Sequence, residues 1–366
     1  MSKLKKIQNY ASEIFEAKKS YTSYKEEINH FIRMPRTELT NDDKASIKKL
    51  WSDIIPLVSL GYKFFEVYKH RTDGVLDPRF IPPSYMFPTI SRVLNPIKYI
   101  NALAYKGLYP ILFSNFRQAE PILQCENTFL LDSNDRLLSL ENAVDLIMSV
   151  RKPIVVKAST DTSGGKDVRI IKNPNKDELL KILPTLGRDY VVQEFVSSSP
   201  ELHSLNPYSL STMRIMTLAL NGQITVHPSM LRIGGKDSPV DNLSSGGSCV
   251  GILQDGSLVS HSYAYSGSIA YEANGVKFEG FKIPNFDKVK EFVISLHSRI
   301  PICAIAGWDI TLNQDNEPTL IEVNLKWPSS SPQICCGMPA FGNRTEEIID
   351  YVRTVKQNKP FYFIMK

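Results

Sequence analysis

A chain of 366 residues, 42% apolar and 22% charged, has the balance of a soluble globular protein and exceeds one hydrophobic core, which predicts two or three subdomains around a shared cleft. No apolar run approaches the roughly 18 residues that span a bilayer, and the basic start MSKLKKIQNYASEIFEAKK lacks an apolar stretch, so neither a membrane span nor a secretory signal is expected and the predicted location is cytoplasmic. The net charge is +5, and residues 1–50 hold 11 Lys/Arg against 7 Asp/Glu; a basic N-terminal helix is expected there, either solvated or in peripheral contact with an anionic membrane surface. Cys125, Cys249, Cys303, Cys335 and Cys336 form no CxxC pair and read as reduced thiols.

Along the chain, Ile7, Tyr10, Ile14 and Phe15, then Ile47, Leu50, Ile54 and Ile55, recur at helical spacing and predict a helical first hundred residues. Pro78, Pro82, Pro83, Pro88 and Pro96 break 76–97 into extended or turn segments, a wrapping connection. Leu108 to Phe113 and Thr128 to Leu131 read as strands, and Ser139 caps a helix through Met148. Ile154 to Lys157 and Val168 to Ile171 predict a hairpin with a Gly/Ser/Thr tip, before a helix near Lys176 to Leu183 and a strand from Tyr190 to Val196. Thr212 to Leu220 and Gln223 to Met230 flank Asn221-Gly222, a strong two-residue hairpin signal. Further hairpins pair Cys249 to Leu253 with Leu258 to Tyr263, and Ala306 to Leu312 with Thr319 to Asn324. Helices are expected at about Phe286 to Arg299 and Thr345 to Lys356. The expected class is α+β with largely antiparallel sheets.

Three segments carry chemistry. In GWDITLNQDNEPTLIEVN, alternation puts Glu322 and Asn324 on one strand face and sends Ile321 and Val323 into a core. Asp309 can meet Glu322 across the hairpin, and three oxygen donors then converge as Mg²⁺ prefers; the alternative is an ordinary polar sheet face. Lys157 is followed by a loop containing Ser163, Gly164 and Gly165, whose small residues admit phosphate oxygens to backbone N–H groups, so it reads as a phosphate lid or a plain turn. In VVQEFV, Glu194, Phe195 and Val196 could offer an edge to an adenine, with Glu201 on ribose hydroxyls, or simply form a solvated strand exit.

The order Lys106, Lys157, Ser163-Gly164-Gly165, Glu194, Glu201, Asp309, Glu322, Asn324 resembles that of ATP-grasp enzymes over roughly residues 98–335. STMRIMTLAL, LRIGGKDSPVDNLSSGG and GWDI…LIEVN resemble the sugar-transfer-associated ATP-grasp family in particular. The spacings of thirteen from Asp309 to Glu322, two to Asn324 and seven from Glu194 to Glu201 are similar to those of D-alanine:D-alanine ligases. The resemblance implies an ATP-grasp fold, with two α+β subdomains gripping ATP behind a helical N-terminal region. It divides the chain into 1–97, helical with the Pro-rich connection; 98–200, the lid subdomain; and 201–366, the subdomain with the metal site.

By the same resemblance, Lys106 and Lys157 hold ATP phosphates under the Ser163–Gly165 lid, Glu194, Phe195 and Val196 line the adenine, Glu201 takes the ribose, and Asp309, Glu322 and Asn324 hold Mg²⁺. Two positions depart from the ligase pattern: Tyr105 stands where an acidic residue is usual, and Gly307 where such ligases carry an arginine. Arg214 and Arg232, in apolar strands that demand an anionic partner for each, are the expected substitutes, with Lys236 beside them. Asp241, Asn242, Gly246, Gly247 and Ser329 are candidate contacts to a second substrate. The implied activity is ADP-forming ligation of a small-molecule carboxylate and amine through an acylphosphate, with a sugar acid in polysaccharide biosynthesis as the candidate substrate and no nucleic acid involved. A kinase on the same scaffold and a noncatalytic polysaccharide-assembly protein are the alternatives.

Overall fold

The computed structural model describes residues 34–160, 168–236, 238, 241, 243, 246–264, 266–326 and 330–358, with Ala11, Ile14, Phe15, Lys18 and Lys19 of the N-terminal segment. Ile7, Tyr10, and most of the basic segment expected to form a helix lie outside them. Thr40 opens α1 (Asn41–Trp51) with a capping box: its hydroxyl accepts from the Asp43 amide while the Asp43 carboxylate accepts from the Thr40 amide. Helix α2 (Tyr62–Arg71) buries Phe64, Phe65, Val67 and Tyr68.

The proline-rich stretch is not the expected wrap. Pro83–Tyr85, Met86–Ile90 and Ser91–Leu94 form consecutive helical turns, the middle one π-wound. Pro83 sits in the first turn, where no N–H is needed, and the wider π turn accommodates Pro88 in mid-run. Tyr85, Met86 and Ile90 are fully buried, in one core with α1 and α2. After α3 (Ile97–Leu103), the strand expected from Leu108 to Phe113 is also helical, as a 3₁₀ turn Lys106–Leu108 and the turn Tyr109–Leu112. Tyr109 and Phe113 face each other at one-turn spacing, rings 5.6 Å apart; a short apolar run fits either period until its packing decides.

A six-stranded antiparallel sheet follows, built from β1 (Pro121–Glu126), β2 (Phe129–Asp132), β3 (Leu137–Leu138), β4 (Ile154–Ala158), β5 (Arg169–Ile171) and β6 (Tyr190–Glu194) in the order β3-β2-β1-β6-β4-β5. One face packs on α4 (Leu140–Val150), capped by Ser139 as expected, and on α5 (Lys176–Ile182). Gln124, Val191 and Lys157 align across β1, β6 and β4 and therefore share the other face, toward the cleft. The linker through α6 (Pro200–Leu205) leads to the second sheet.

That sheet is built on β7 (Thr212–Leu220). Asn221 and Gly222, both at positive φ, turn it into β8 (Gln223–Val226). The return strand expected to run to Met230 stops there, because Pro228 has no N–H to continue the ladder; β9 (Ser229–Ile233) then pairs with the first half of β7. Strands β10 (Ser248–Ile252), β11 (Leu258–Ala264) and β12 (Ile269–Ala270) extend that side, followed by the small pair β13 (Glu272–Ala273) and β14 (Val276–Lys277) and by α7 (Phe286–His297). Strands β15 (Ile305–Leu312) and β16 (Pro318–Asn324) complete the order β12-β11-β10-β9-β7-β15-β16, before α8 (Ser330–Cys336) and α9 (Thr345–Asn358). Helix α7 covers one face through Val289, Val293 and Leu296 against Trp308, Ile310 and Leu231. The N-terminal helices, α8 and α9 cover part of the other. The register shifts between Asp309 and Ile310, leaving Ile321 in a bulge and half-buried, so it does not enter the core as Val323 does. No helix among the described residues is long and apolar enough to cross a membrane.

Asn95 ties this hairpin to the N-terminal region: its amide donates to Ile305 O at 2.7 Å and Leu325 O at 2.9 Å, and its carbonyl accepts from the Ile305 amide at 2.9 Å. It is 1% exposed, so Asn95→Leu leaves three backbone groups unmatched. The expected loss is about 2–4 kcal/mol of unfolding free energy in urea titration; a loss under about 1 kcal/mol would refute the clamp.

Candidate active site

The site grows from register. Asp309 on β15 stands opposite Glu322 on one side and Arg214 on the other, and Thr212 on β7 stands opposite Arg232; directly opposed and alternate residues share a face. Asp309 is 2% exposed. Its carboxylate accepts from Arg214 Nε, from Arg214 Nη2 at 2.9 Å, from Arg232 Nη2 at 2.9 Å and from Asn324 Nδ2 at 3.4 Å. Burial alone would push this carboxyl up; the two guanidiniums overcome it and hold the group below its usual range. Both arginines thus have the anionic partner that their burial demands.

A second tier fixes Arg232. Asp241, buried, accepts from the Thr212 amide at 3.0 Å and hydroxyl at 2.5 Å, and lies 3.4 Å from Arg232 Nη2. The Thr212 hydroxyl in turn accepts from Arg232 Nε at 3.0 Å and Nη2 at 2.7 Å. Asp241, expected to face a second substrate, therefore has both oxygens engaged inside the protein, and Thr212 is the unexpected member. Lys236 is exposed beyond the end of β9, and Gly246 and Gly247 sit in the turn before β10, Gly246 with open space around it. Ser163, Gly164, Gly165, Asn242 and Ser329 lie outside the described residues.

The two sheets meet at Lys106. Its amide donates to Ser159 O at 3.1 Å, just past β4, and its Nζ lies 3.0 Å from Glu322 Oε1 on β16. Tyr109, one turn on, takes the Val323 amide on its hydroxyl at 3.1 Å. Lys157 points to the same place: burial draws its ammonium below the usual range, Glu322 offsets part of that, and the like charge of Lys106 adds to it. Behind this turn Tyr105 donates to Glu126, whose carboxyl burial, then Asp189, push up to about 7. The position expected to be acidic is thus a tyrosine bound to an acid from β1. Ser159 Oγ and one oxygen of Glu126 are buried with no partner among the described residues.

At the other end of the cleft a cavity of about 830 Å³ is lined by Phe195, Ser197 and Ser198 from the linker, Lys172 beyond β5, Tyr208, and Gln314 from the β15–β16 turn. Glu194 itself pairs with Lys152 at 2.6 Å, and the amides of Glu194 and Phe195 donate to Glu120 O and Pro153 O. Val196 is the first of the three past these bonds. Glu201 accepts from Asn316 at 3.4 Å through Oε1, while Oε2 is buried without a partner among the described residues.

Four cations, Lys106, Lys157, Arg214 and Arg232, thus face three carboxylates, Asp241, Asp309 and Glu322, a surplus suited to a polyanion. Among the described residues no three His, Cys, Asp or Glu side chains gather as a metal cage. A cation on Asp309, Glu322 and Asn324 would need water or phosphate oxygens to complete its shell, and that mixed oxygen set suits Mg²⁺.

No curated protein matches the sequence. Among solved structures, D-alanyl-alanine synthetase A from Vibrio cholerae is similar at 14% identity over 71% of this chain and 65% of that one, with a TM-score of 0.41. The L-amino acid ligase from Bacillus licheniformis is similar at 13% identity over 68% and 47%, TM-score 0.39, and D-cycloserine synthetase at 11% over 72% and 73%, TM-score 0.43. The chain spans less than two thirds of the length of the first two. The model of the sugar-transfer associated ATP-grasp family matches residues 123–348, a span that runs from β1 into α9 and takes in both sheets with Lys157, Arg214, Asp309 and Glu322. With more than half of its length matched, the chain belongs to the sugar-transfer associated ATP-grasp family.

Proposed function

We propose that the chain is an ATP-dependent carboxylate–amine ligase that works through an acylphosphate and releases ADP, acting on a small carboxylate such as a sugar acid. The observation that carries this reading is the in-register line Arg214–Asp309–Glu322 with Lys106 on its end, a cationic cleft with carboxylates at its floor. In this reading Asp309, Glu322 and Asn324 hold Mg²⁺, Lys106 and Lys157 hold the phosphates, and the Ser163–Gly165 loop covers them. Phe195 and Val196 border the base, and the unpaired oxygen of Glu201 accepts from the ribose. Bound Mg²⁺·ATP supplies the phosphoryl group and neutralises its charge during transfer.

The protein's share is positioning and electrostatics. Arg214 and Arg232 present N–H groups to the acceptor carboxylate while it takes the γ-phosphoryl group, and again to the oxyanion formed when the amine attacks. Because both guanidiniums rest on Asp309, the carboxylate assigned to the metal also orients the acceptor side. Lys236 and the Gly246-Gly247 turn are assigned to the periphery of the acceptor, with Asn242 and Ser329.

ADP release measured with pooled amino acids and uronic acids is expected to depend on one carboxylate and one amine together, and Glu322→Ala should lower it by roughly 10²-fold or more. Turnover unaffected by Glu322→Ala would refute the metal assignment, and a phosphorylated acceptor formed with no amine requirement would make the protein a kinase. Thr212→Val keeps the shape and removes the acceptor that holds Arg232. Its ADP release should fall roughly tenfold to a hundredfold, with Mg²⁺·ATP affinity by calorimetry within about twofold and recovery in Thr212→Ser. Unchanged turnover in Thr212→Val would remove that hydroxyl from the positioning of Arg232.

A further inference from the structure

The face of the large sheet that carries Asp309 continues away from the cleft. Arg232 on β9 stands opposite Cys249 on β10, and Cys249 opposite Tyr263 on β11. Over the Tyr263 ring, 4.1 Å from its centroid, lies the guanidinium of Arg71, the last residue of α2. Arg71 Nε donates to Ile334 O of α8 at 3.3 Å, and Nη2 lies 3.1 Å from His261 Nε2. A guanidinium can only donate, so His261 Nε2 accepts, from Arg71 and from the Tyr263 hydroxyl at 2.5 Å. The imidazole is then neutral, with its proton on Nδ1 facing Ser260 Oγ at 3.0 Å. Burial, then the charge of Arg71, hold His261 below its usual pKa, in keeping with that assignment.

A carbonyl, a neutral imidazole and an aromatic ring supply dipoles to this half-buried cation and no charge. Asp73 acts on it through space, but no carboxylate among the described residues reaches salt-bridge distance. Other arginines in similar or deeper positions are matched: Arg79 with Asp77, Arg214 and Arg232 with Asp309, Arg344 with Glu347. A guanidinium drawn out of water without an anion is unfavourable, and its planar fork fits carboxylate and phosphate alike. Beside it Tyr271, 66% exposed, holds its ring 6.1 Å from that of His261, leaving an aromatic face open to solvent.

We propose that Arg71, held in place by the neutral His261, and Tyr271 form a second anion-binding subsite, separate from the Asp309 cleft, for the carboxylate or phosphate of a small acidic ligand whose ring lies on Tyr271. Strand β11 is two strands from β9, which at about 4.8 Å per strand puts the subsite roughly 10 Å from Arg232, the nearest cation of the cleft. One simple anion cannot bridge the two, and the Arg71→Gln and Arg232→Gln variants separate their contributions.

Calorimetry of the full chain at low ionic strength, with inorganic phosphate, glucose 1-phosphate and glucuronate as probes, tests this. The sugar-bearing probe of the preferred anion should bind with Kd on the order of 1 mM or below, and whether glucose 1-phosphate or glucuronate binds more tightly distinguishes phosphate from carboxylate. Arg71→Gln should weaken it roughly tenfold or more. Tyr271→Ala, at an exposed position, should weaken the sugar probes about threefold and leave inorganic phosphate unchanged, and in Arg232→Gln, which removes a cleft contact for glucuronate on the proposed function, the Arg71-dependent binding should persist. The proposal is overturned if no probe binds the wild-type chain at about 20 mM, if a folded Arg71→Gln binds as well as wild type, or if Arg232→Gln also removes the Arg71-dependent binding. Should Arg71→Gln fail to fold, undiminished sugar binding in Tyr271→Ala overturns it instead.

Discussion

A carboxylate that is 2% exposed at the centre of an antiparallel sheet has to be neutralised by its neighbours, and Asp309 sets the requirements that the surrounding strands meet. Its two oxygens are shared among Arg214, Arg232 and Asn324, contributed by β7, β9 and β16. Removing one partner from such a group typically costs about 3–5 kcal/mol, because a buried charge is left uncompensated. Each donor is therefore held by the others, and the Thr212 hydroxyl, a donor to Asp241 and an acceptor from Arg232, passes the constraint to the next strand. A site built this way is rigid before any ligand arrives, which electrostatic catalysis requires of groups that must not reorganise during the reaction.

Rigidity within one sheet does not align it with the other; the Lys106 turn does so together with the 117–119 segment, which pairs with Leu320 on β16. The Lys106 amide is bound at the end of β4, its ammonium on Glu322 of β16, and Tyr109 on the backbone of Val323. Lys106 and Lys157 share one carboxylate, Glu322, and their mutual repulsion is part of why Lys157 is displaced from its usual pKa. A polyanion placed between the sheets relieves that repulsion, so charge balance and closure of the cleft favour the same arrangement.

The parts legible in the sequence are those set by local rules. Asn221-Gly222 demanded left-handed backbone and has it, and Ser139 caps its helix. Asp309 and Glu322 lie in one hairpin, so alternation alone made them neighbours. Burial of a cation in an apolar strand was enough to predict acidic partners for Arg214 and Arg232, although not that both would share Asp309. Thr212, Asn95 and Ser159 were not legible, since each acts through groups 20 to 230 residues away that only strand order brings close. The misread segments share a cause. Pro88 in a π turn, Ile321 in a bulge, Pro228 splitting a strand and the run at Leu108 to Phe113 are places where tertiary packing decided between local options.

Gly307 shows how the same register accommodates a missing cation. It lies two residues before Asp309, on the same face, opposite Asn324 on β16 and Met216 on β7. A side chain at that point would rise beside Asn324. With glycine there, positive charge comes from the other side of Asp309, out of β7 and β9, where Arg214 and Arg232 are held by opposed neighbours. The cationic centre of the cleft lies one to two strand spacings, about 5–10 Å, from β15 on the side away from β16. An acceptor anion drawn to those guanidiniums would lie over β7 and β9, beside Asp241, which is anchored to Thr212. On the proposed function, acceptor choice in this chain then depends on Arg214, Arg232 and the Asp241–Thr212 anchor more than on the strand that carries the metal ligands.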